Sequence, residues 1–287
     1  MSVPAALVRA CRPRQWVKNV LVVAGPLAAG TVLQHLREIS VAFLAFCLVS
    51  SAVYLLNDLL DVEADRAHPV KRLRPIASGA LPVPVAGIAA GVLATVSLGG
   101  TALLGYTELT WVLAVYAAVQ VAYCLWLKHQ AVLDLAVVSS GFLLRAMAGG
   151  VAASVVLSPW FLLVASFGSL FMVAGKRYSE VHLVGEGRSA TRRTLELYSA
   201  SYLRFAWGVA CSATITFYAL WAFGLEREYE LLPQLSLVPF TLGLLRYAID
   251  IDKGAAGEPE TIVLGDRVLQ VLGAVWLVIF TTSAVLG

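Results

Sequence analysis

The sequence predicts an all-α, polytopic membrane protein of nine transmembrane helices, and three observations predict it. Hydrophobic residues fill 59% of the 287 positions and mean hydropathy is +0.80, too apolar for a soluble domain of that length. Apolar stretches long enough to span a bilayer recur along the whole chain. Lysine and arginine fall almost entirely in alternate connections between those stretches, the bias that places basic loops in the cytoplasm. A net charge of +3 with a pI near 8.7 is no nucleic-acid footprint, because the basic residues sit in short clusters between spans.

In chain order, residues 1–18 mix Arg9, Arg12, Arg14 and Lys18 with Leu7, Val8 and Trp16. They read as an amphipathic segment at the cytoplasmic interface, with a disordered basic tail as the competing reading of residues 1–10. The segment lacks the apolar centre and cleavage site of a signal peptide, so it is expected to remain in the mature protein. Lys18 and Asn19 reach the membrane boundary, where an anionic substrate could use them. A single nine-helix domain then occupies 19–287. Its spans fall near 19–36, 40–60, 82–104, 109–127, 131–153, 159–176, 198–223, 232–249 and 264–286; the first is marginal, because Gly25-Pro26 should kink it. Counting basic residues puts the N-terminus in the cytoplasm of an inner-membrane protein and the C-terminus outside, where only Arg37 and Arg227 lie.

The most charged stretch runs from Asn57 to Gly79, NDLLDVEADRAHPVKRLRPIASG, in a chain with 14% charged residues. If the preceding helix continues through it, Asn57, Asp61 and Asp65 share one face at i, i+4 and i+8, with Asp58 at its edge. Carboxylates at a helix C-terminus oppose the dipole and repel one another, and a bound cation relieves both. Oxygen-only ligands suit a hard ion, Mg2+, which shares its shell with substrate phosphates. Arg66, Lys71, Arg72 and Arg74 then offer phosphate partners. The competing reading is a solvated loop of mixed charge.

Three further groups stand near predicted cytoplasmic ends. Lys128 and Asp134 precede a deeper Arg145, a buried charge that faces either a polar cavity or a structural partner. Ser139, Ser140, Gly141, Ala146, Ala148, Gly149 and Gly150 on the same span permit close helix approach. After the sixth span, Lys176, Arg177, Tyr178 and Glu180 repeat the first charged loop in weaker form, with Lys176 and Glu180 also readable as a surface pair. The loop holding Asp250, Asp252, Glu258 and Glu260 is glycine-rich and reads as a flank of the cavity. The four cysteines and four histidines are scattered, without disulfide or metal spacing.

NDLLDVEAD followed by KRLRPIASG resembles the first aspartate-rich signature of the UbiA superfamily of membrane prenyltransferases, NDxxDxxxD before a basic stretch and RP. Asn57, Asp58, Asp61, Asp65, Arg74, Pro75 and Gly79 carry the match, and Tyr123, Lys128, Asp134 and Gly149 resemble the family's segment at helices four and five. Where that family has a second acidic motif, this chain has KRYSE, with Glu180 the only carboxylate nearby. RPRQWVKN, LKHQAV, GSLFMVAGKRY and AGEPE look most like the phosphoribosyltransferase branch.

That resemblance implies a Mg2+-dependent enzyme moving 5-phosphoribose from phosphoribosyl pyrophosphate (PRPP) to decaprenyl phosphate, on the way to the arabinan donor of a cell wall. It implies Asp58, Asp61 and Asp65 as catalytic and, with Asn57, as metal ligands. Lys71, Arg72 and Arg74 are expected on the diphosphate, and Lys128, Lys176 and Arg177 on the ribose 5-phosphate or lipid phosphate. Tyr123 and Tyr178 are expected to wall the sugar, with Lys18, Asp134, Arg145 and Glu180 also in the substrate site. The expected partners are PRPP, the polyprenyl phosphate, the membrane and further copies of the chain in a homo-oligomer, a trimer. The alternatives are an aromatic prenyltransferase using a prenyl diphosphate and, in another class, a transporter whose pathway Arg145 and the carboxylates line.

Overall fold

In the computed structural model the described residues are 2–185, 197–224, 231–257 and 259–286. Residues 186–196 and 225–230, in the connections predicted after the sixth and seventh spans and including Arg227, and residue Glu258 lie outside them. Eight described helices are long and apolar enough to cross a membrane: α3 (Leu36–Leu60), α5 (Val83–Leu103), α6 (Thr107–Leu125), α7 (Leu133–Ala152), α8 (Pro159–Gly185), α9 (Ala200–Phe223), α10 (Leu231–Asp252) and α12 (Arg267–Leu286). Between them lie the short helices α1 (Val3–Ala10), α2 (Ala24–Ala28), α4 (Val62–Ala67) and α11 (Pro259–Gly265). Seven match predicted spans to within four residues at each end, because long apolar runs leave little ambiguity in kind or place; α8 starts at Pro159 as predicted and runs nine residues past the predicted end at 176, through the charged KRYSE stretch.

The predicted first span, 19–36, is not a continuous helix. Pro13–Val23 is a 3-10 segment, α2 lasts five residues, and Gly30 takes a positive φ of 70° before a second 3-10 turn at Val32–Gln34. Pro26 has no N–H to offer the Val22 carbonyl, as a regular helix would require. That carbonyl instead meets α7 at Gly149, where any Cβ would fall on the Val22 oxygen.

The chain forms two compact units. The first comprises Met1–Pro26, Val32–Lys128 and Leu144–Val156. Phe46, Leu109, Leu113 and Tyr116 fill its core with Ala148 and Ala152, Phe46 lying edge-on to Tyr116 at 5.2 Å between centroids. The Ser97 hydroxyl donates to the Ala45 carbonyl (2.9 Å) and ties α5 to α3, a bond favoured where no water competes. A second cluster, Ala6, Ala10, Leu55, Ile76, Leu81 and Ala86, joins α1, α3 and α5 beneath the charged loop.

The second unit comprises Leu27–Thr31, His129–Leu143 and Leu157–Gly287. Phe171, Leu203, Tyr247 and Ile251 centre its core on α8, α9 and α10. Ser158 starts α8 by accepting from the Phe161 N–H (3.1 Å), and Ser199 starts α9 by accepting from Tyr202 (3.1 Å), both as N-caps. Tyr218 stacks on Phe240 and takes hydrogen bonds from Trp276 and to or from Ser236, so the aromatic layer satisfies its own polar atoms.

Candidate active site

The acidic stretch lies entirely in the first unit. α3 ends at Leu60, Asp61 leaves helical geometry (φ −94°, ψ 7°), and α4 begins at Val62. The expected uninterrupted helix is therefore broken at Asp61, although Asp61 N–H still donates to the Asn57 carbonyl (3.0 Å) and Asp65 N–H to the Asp61 carbonyl (2.8 Å). The break re-sorts the acids. Asp58 and Asp65, both buried, share the Arg74 guanidinium, whose Nη1 donates to Asp58 Oδ1 (3.1 Å) and Asp65 Oδ2 (2.6 Å). Asp61 instead receives Lys128 Nζ (2.6 Å), and Asn57 Oδ1 accepts a long Cys124 thiol contact (3.5 Å).

Local sequence explains how Arg74 arrives there. Pro75 holds the residue before it extended, and Arg74 has φ −64°, ψ 146°. Ile76 and Leu81, fully buried beside Leu55, fasten the loop beneath, and Gly79 turns it at φ 79°, a conformation open to glycine. His68 Nδ1 accepts the Val70 and Lys71 N–H groups (3.2 Å each) and organises the start of the basic run. Lys71 is half-buried and Arg72 exposed. Arg66, expected to partner phosphate, donates to Glu63 (2.7 Å) and the Ala77 carbonyl (3.3 Å) at the surface.

A residue the sequence reading left out completes the cluster. Arg12, at φ 54°, sends Nη2 to Asp58 Oδ1 (2.6 Å) and lays its guanidinium over the Tyr54 ring at 5.1 Å. The signal was present in RPRQWVKN, whose Arg12 was read only as part of the amphipathic interfacial segment. Beside it, burial pushes the Cys11 thiol up from its ordinary pKa, against an opposing hydrogen bond with Ser51.

Among the described residues no three carboxylate, histidine or cysteine side chains converge on one point; each acid faces a cation instead. The donor chemistry nevertheless fits Mg2+. Asn57, Asp58, Asp61 and Asp65 offer oxygen alone, and their charge is already balanced by cations at hydrogen-bond distance. Binding a metal there exchanges one counter-charge for another rather than gathering charge anew.

Asp134, Arg177, Tyr178 and Glu180 come together in the second unit. Arg177 grips Asp134 with two parallel bonds, Nε to Oδ2 (2.8 Å) and Nη2 to Oδ1 (3.0 Å), and sends Nη1 to Glu180 (2.8 Å). Tyr178 Oη accepts from Arg204 Nη2 (2.7 Å), and Arg204 also pairs with Asp252 (2.9 Å). Arg204 is a second omission, since at a span's end it carried no motif. Lys176 is half-buried. Just before Asp134, Val132 holds φ 66°, rare for a β-branched residue, and its N–H donates to Tyr198 Oη (2.8 Å).

Arg145 sits apart from the acidic stretch, in the core of the first unit. It is 6% exposed; Nε donates to Asn19 Oδ1 (2.8 Å), Nη2 to Tyr116 Oη (2.9 Å), and the guanidinium lies over the Tyr116 and Phe46 rings. Asn19, expected at the boundary for substrate, is buried as Arg145's acceptor. Lys18 and Tyr123 are half-buried.

Residues 19–284 match the UbiA prenyltransferase family. The chain is 52% identical to the decaprenyl-phosphate phosphoribosyltransferase of Mycolicibacterium smegmatis, over 95% of this chain and 90% of that one. It is 50% identical to the protein of that name from Corynebacterium glutamicum, over 94% and 84%. In three dimensions it is similar to a UbiA homolog from Archaeoglobus fulgidus bound to DMAPP and Mg2+, with a TM-score of 0.74, 97% and 98% of the two chains covered and 16% identity, a likeness of fold. Motif, fold and near-full-length identity agree: the chain belongs to the UbiA prenyltransferase family.

Proposed function

We propose that this chain is a membrane phosphoribosyltransferase, moving 5-phosphoribose from PRPP to decaprenyl phosphate and releasing pyrophosphate. The observation that carries the choice of donor and acceptor is the 52% identity, over nearly the whole chain, to a decaprenyl-phosphate phosphoribosyltransferase. The geometry of the first unit supports the chemistry. Arg74, fixed between two buried carboxylates, presents a planar cation suited to a diphosphate, with Lys71 and Arg72 on the same loop. Lys128, held by Asp61, offers a mobile point charge to a second phosphate.

In the proposed reaction the bond from ribose C1 to the diphosphate oxygen breaks, and its electron pair leaves with pyrophosphate. An oxygen of the acceptor phosphate forms the new bond to C1. The acceptor arrives as an anion, so no general base has to remove a proton. Positive charge growing on the ribose ring benefits from carboxylate nearby and from the exclusion of bulk water. Mg2+ held by those acids and Asn57 would supply Lewis-acid neutralisation of the leaving group. The assignments of Lys18, Tyr123, Asp134, Arg145, Lys176, Arg177, Tyr178 and Glu180 to substrate rest on the resemblance alone.

A ninth crossing by the broken segment, residues 19–36, belongs to the same reading. So do residues 19–287 acting as one catalytic domain and the inner-membrane topology with a cytoplasmic N-terminus. The expected trimer is open to mass measurement of the detergent-purified protein. To test the reaction, purified protein with Mg2+ receives labelled PRPP or a labelled prenyl diphosphate separately. Label passing from PRPP into a polyprenyl-phosphate lipid is the expected result; transfer only of a prenyl group, to an aromatic ring, overturns the reading.

A further inference from the structure

Asp58 Oδ1 accepts from two guanidinium groups at once, Arg12 at 2.6 Å and Arg74 at 3.1 Å. Two close N–H donors occupy the lone-pair directions of one carboxylate oxygen, so a divalent ion that takes this oxygen must displace one of them. The two arginines are not equally free to go. Arg74 has a second, shorter bond to buried Asp65 (2.6 Å) and is set by Pro75 and the buried Ile76. Among the described residues Arg12 has its ion pair with Asp58 alone, and its side chain is 31% exposed. The Tyr54 ring beneath it keeps its charge at the site after the carboxylate bond is lost, because a cation is attracted to the ring face.

The backbone around Arg12 fixes where that charge is delivered. α1 is anchored by buried Ala6 and Ala10, and Ser51 Oγ shares its one hydrogen between the Cys47 carbonyl (2.7 Å) and the Cys11 carbonyl (3.1 Å). Trp16 Nε1 donates to the same Ser51 hydroxyl (3.1 Å), and Asn19 is pinned by Arg145. With both flanks tied, Arg12 lies on a short left-handed link at φ 54°. Its side chain can swing while its Cα stays in place.

We propose that Arg12 is an exchangeable counter-charge of the metal site: it neutralises Asp58 Oδ1 until a divalent cation takes that oxygen, and then turns its guanidinium onto the diphosphate of the donor. The exchange couples the two loading events. Cation binding frees an arginine that the diphosphate then captures, so each ligand favours the other. The inference rests on the proposed transfer reaction for the identity of the diphosphate.

The test uses the full chain in detergent and two ligands measured by calorimetry: Mg2+ alone, and inorganic pyrophosphate at saturating Mg2+. With Arg12→Ala, Mg2+ alone is expected to bind about 3- to 10-fold tighter, because its competitor is gone, while pyrophosphate binds about 10-fold weaker, the effect of losing one charge-assisted contact. Arg12→Lys keeps a charge without the planar fork and is expected to recover part of the pyrophosphate affinity. An Arg12→Ala protein whose Mg2+ affinity is unchanged or lower overturns the exchange, and loss of both affinities together marks Arg12 as a structural prop. Asp58→Asn serves as the separate control. If that variant binds Mg2+ as the parent does, the metal assignment itself fails, whatever Arg12 shows.

Discussion

The two charged clusters use the same residue types to opposite ends. In the second unit Asp134 and Arg177 are 2% and 6% exposed, are joined by two parallel bonds, and have a third partner in Glu180. Desolvation makes such a clamp costly to separate. In the first unit one carboxylate oxygen is shared by two arginines, one arginine by two carboxylates, and the cations Arg12, Arg74 and Lys128 remain 31%, 25% and 18% exposed. Buried acids served by accessible cations form a cluster that can trade partners. Similar charge density thus goes with different freedom to trade partners, set by the exposure of the cations and the sharing of oxygens.

The comparison breaks most visibly at the clamp. Arg177→Leu leaves Asp134 buried without its fork and is expected to cost about 3–5 kcal/mol, read as a large fall in thermal midpoint in detergent; a variant as stable as the parent would remove the distinction. At the reactive cluster the expected loss is in rate. Asp58→Asn should lower turnover by about 1000-fold, equivalent to about 4 kcal/mol, with a thermal midpoint near the parent's, and chelation of Mg2+ should do the same without any mutation. Near-normal turnover in the asparagine variant, with the fold intact, would make Asp58 a second clamp.

Smaller effects sharpen the contrast. Arg74→Ala should raise KM for PRPP about 10-fold, close to 1.4 kcal/mol, and an unchanged KM would confine Arg74 to holding Asp58 and Asp65 apart. The smallest expected effect is chemical. Burial holds the Cys11 thiol above its ordinary pKa, so less of it is thiolate at any given pH. Its alkylation at pH 8 should run several-fold slower than that of free cysteine and climb as pH rises; labelling at the free-thiol rate would show α1 lifting away from α3.

How much of this was legible in the sequence depends on the range of the interaction. Eight spans follow from continuous apolar runs, a local property. The break at Asp61 and the 3-10 path of Pro13–Val23 depend on what packs against them, and for the latter Gly149 lies far along the chain. Asp58, Asp61 and Asp65 were found because their spacing is local. Arg12 was missed because its partner is 46 residues away, and Arg204 because its partners Tyr178 and Asp252 lie on other helices. That Arg66 already has a neighbour was not legible in the basic run, although Glu63 is only three residues off.

The length of α8 has a consequence for the lipid acceptor. Its 27 residues measure roughly 40 Å against about 30 Å of hydrocarbon, so some 10 Å of rigid rod stands clear at one face. With the proposed orientation that overhang is Ser179 through Gly185, and Lys176 to Tyr178 stand at its foot, at the edge of the headgroup layer. A polyprenyl chain can then stay dissolved among its neighbours while only its phosphate rises to meet the sugar, and no greasy tail has to be drawn into water for the reaction to proceed.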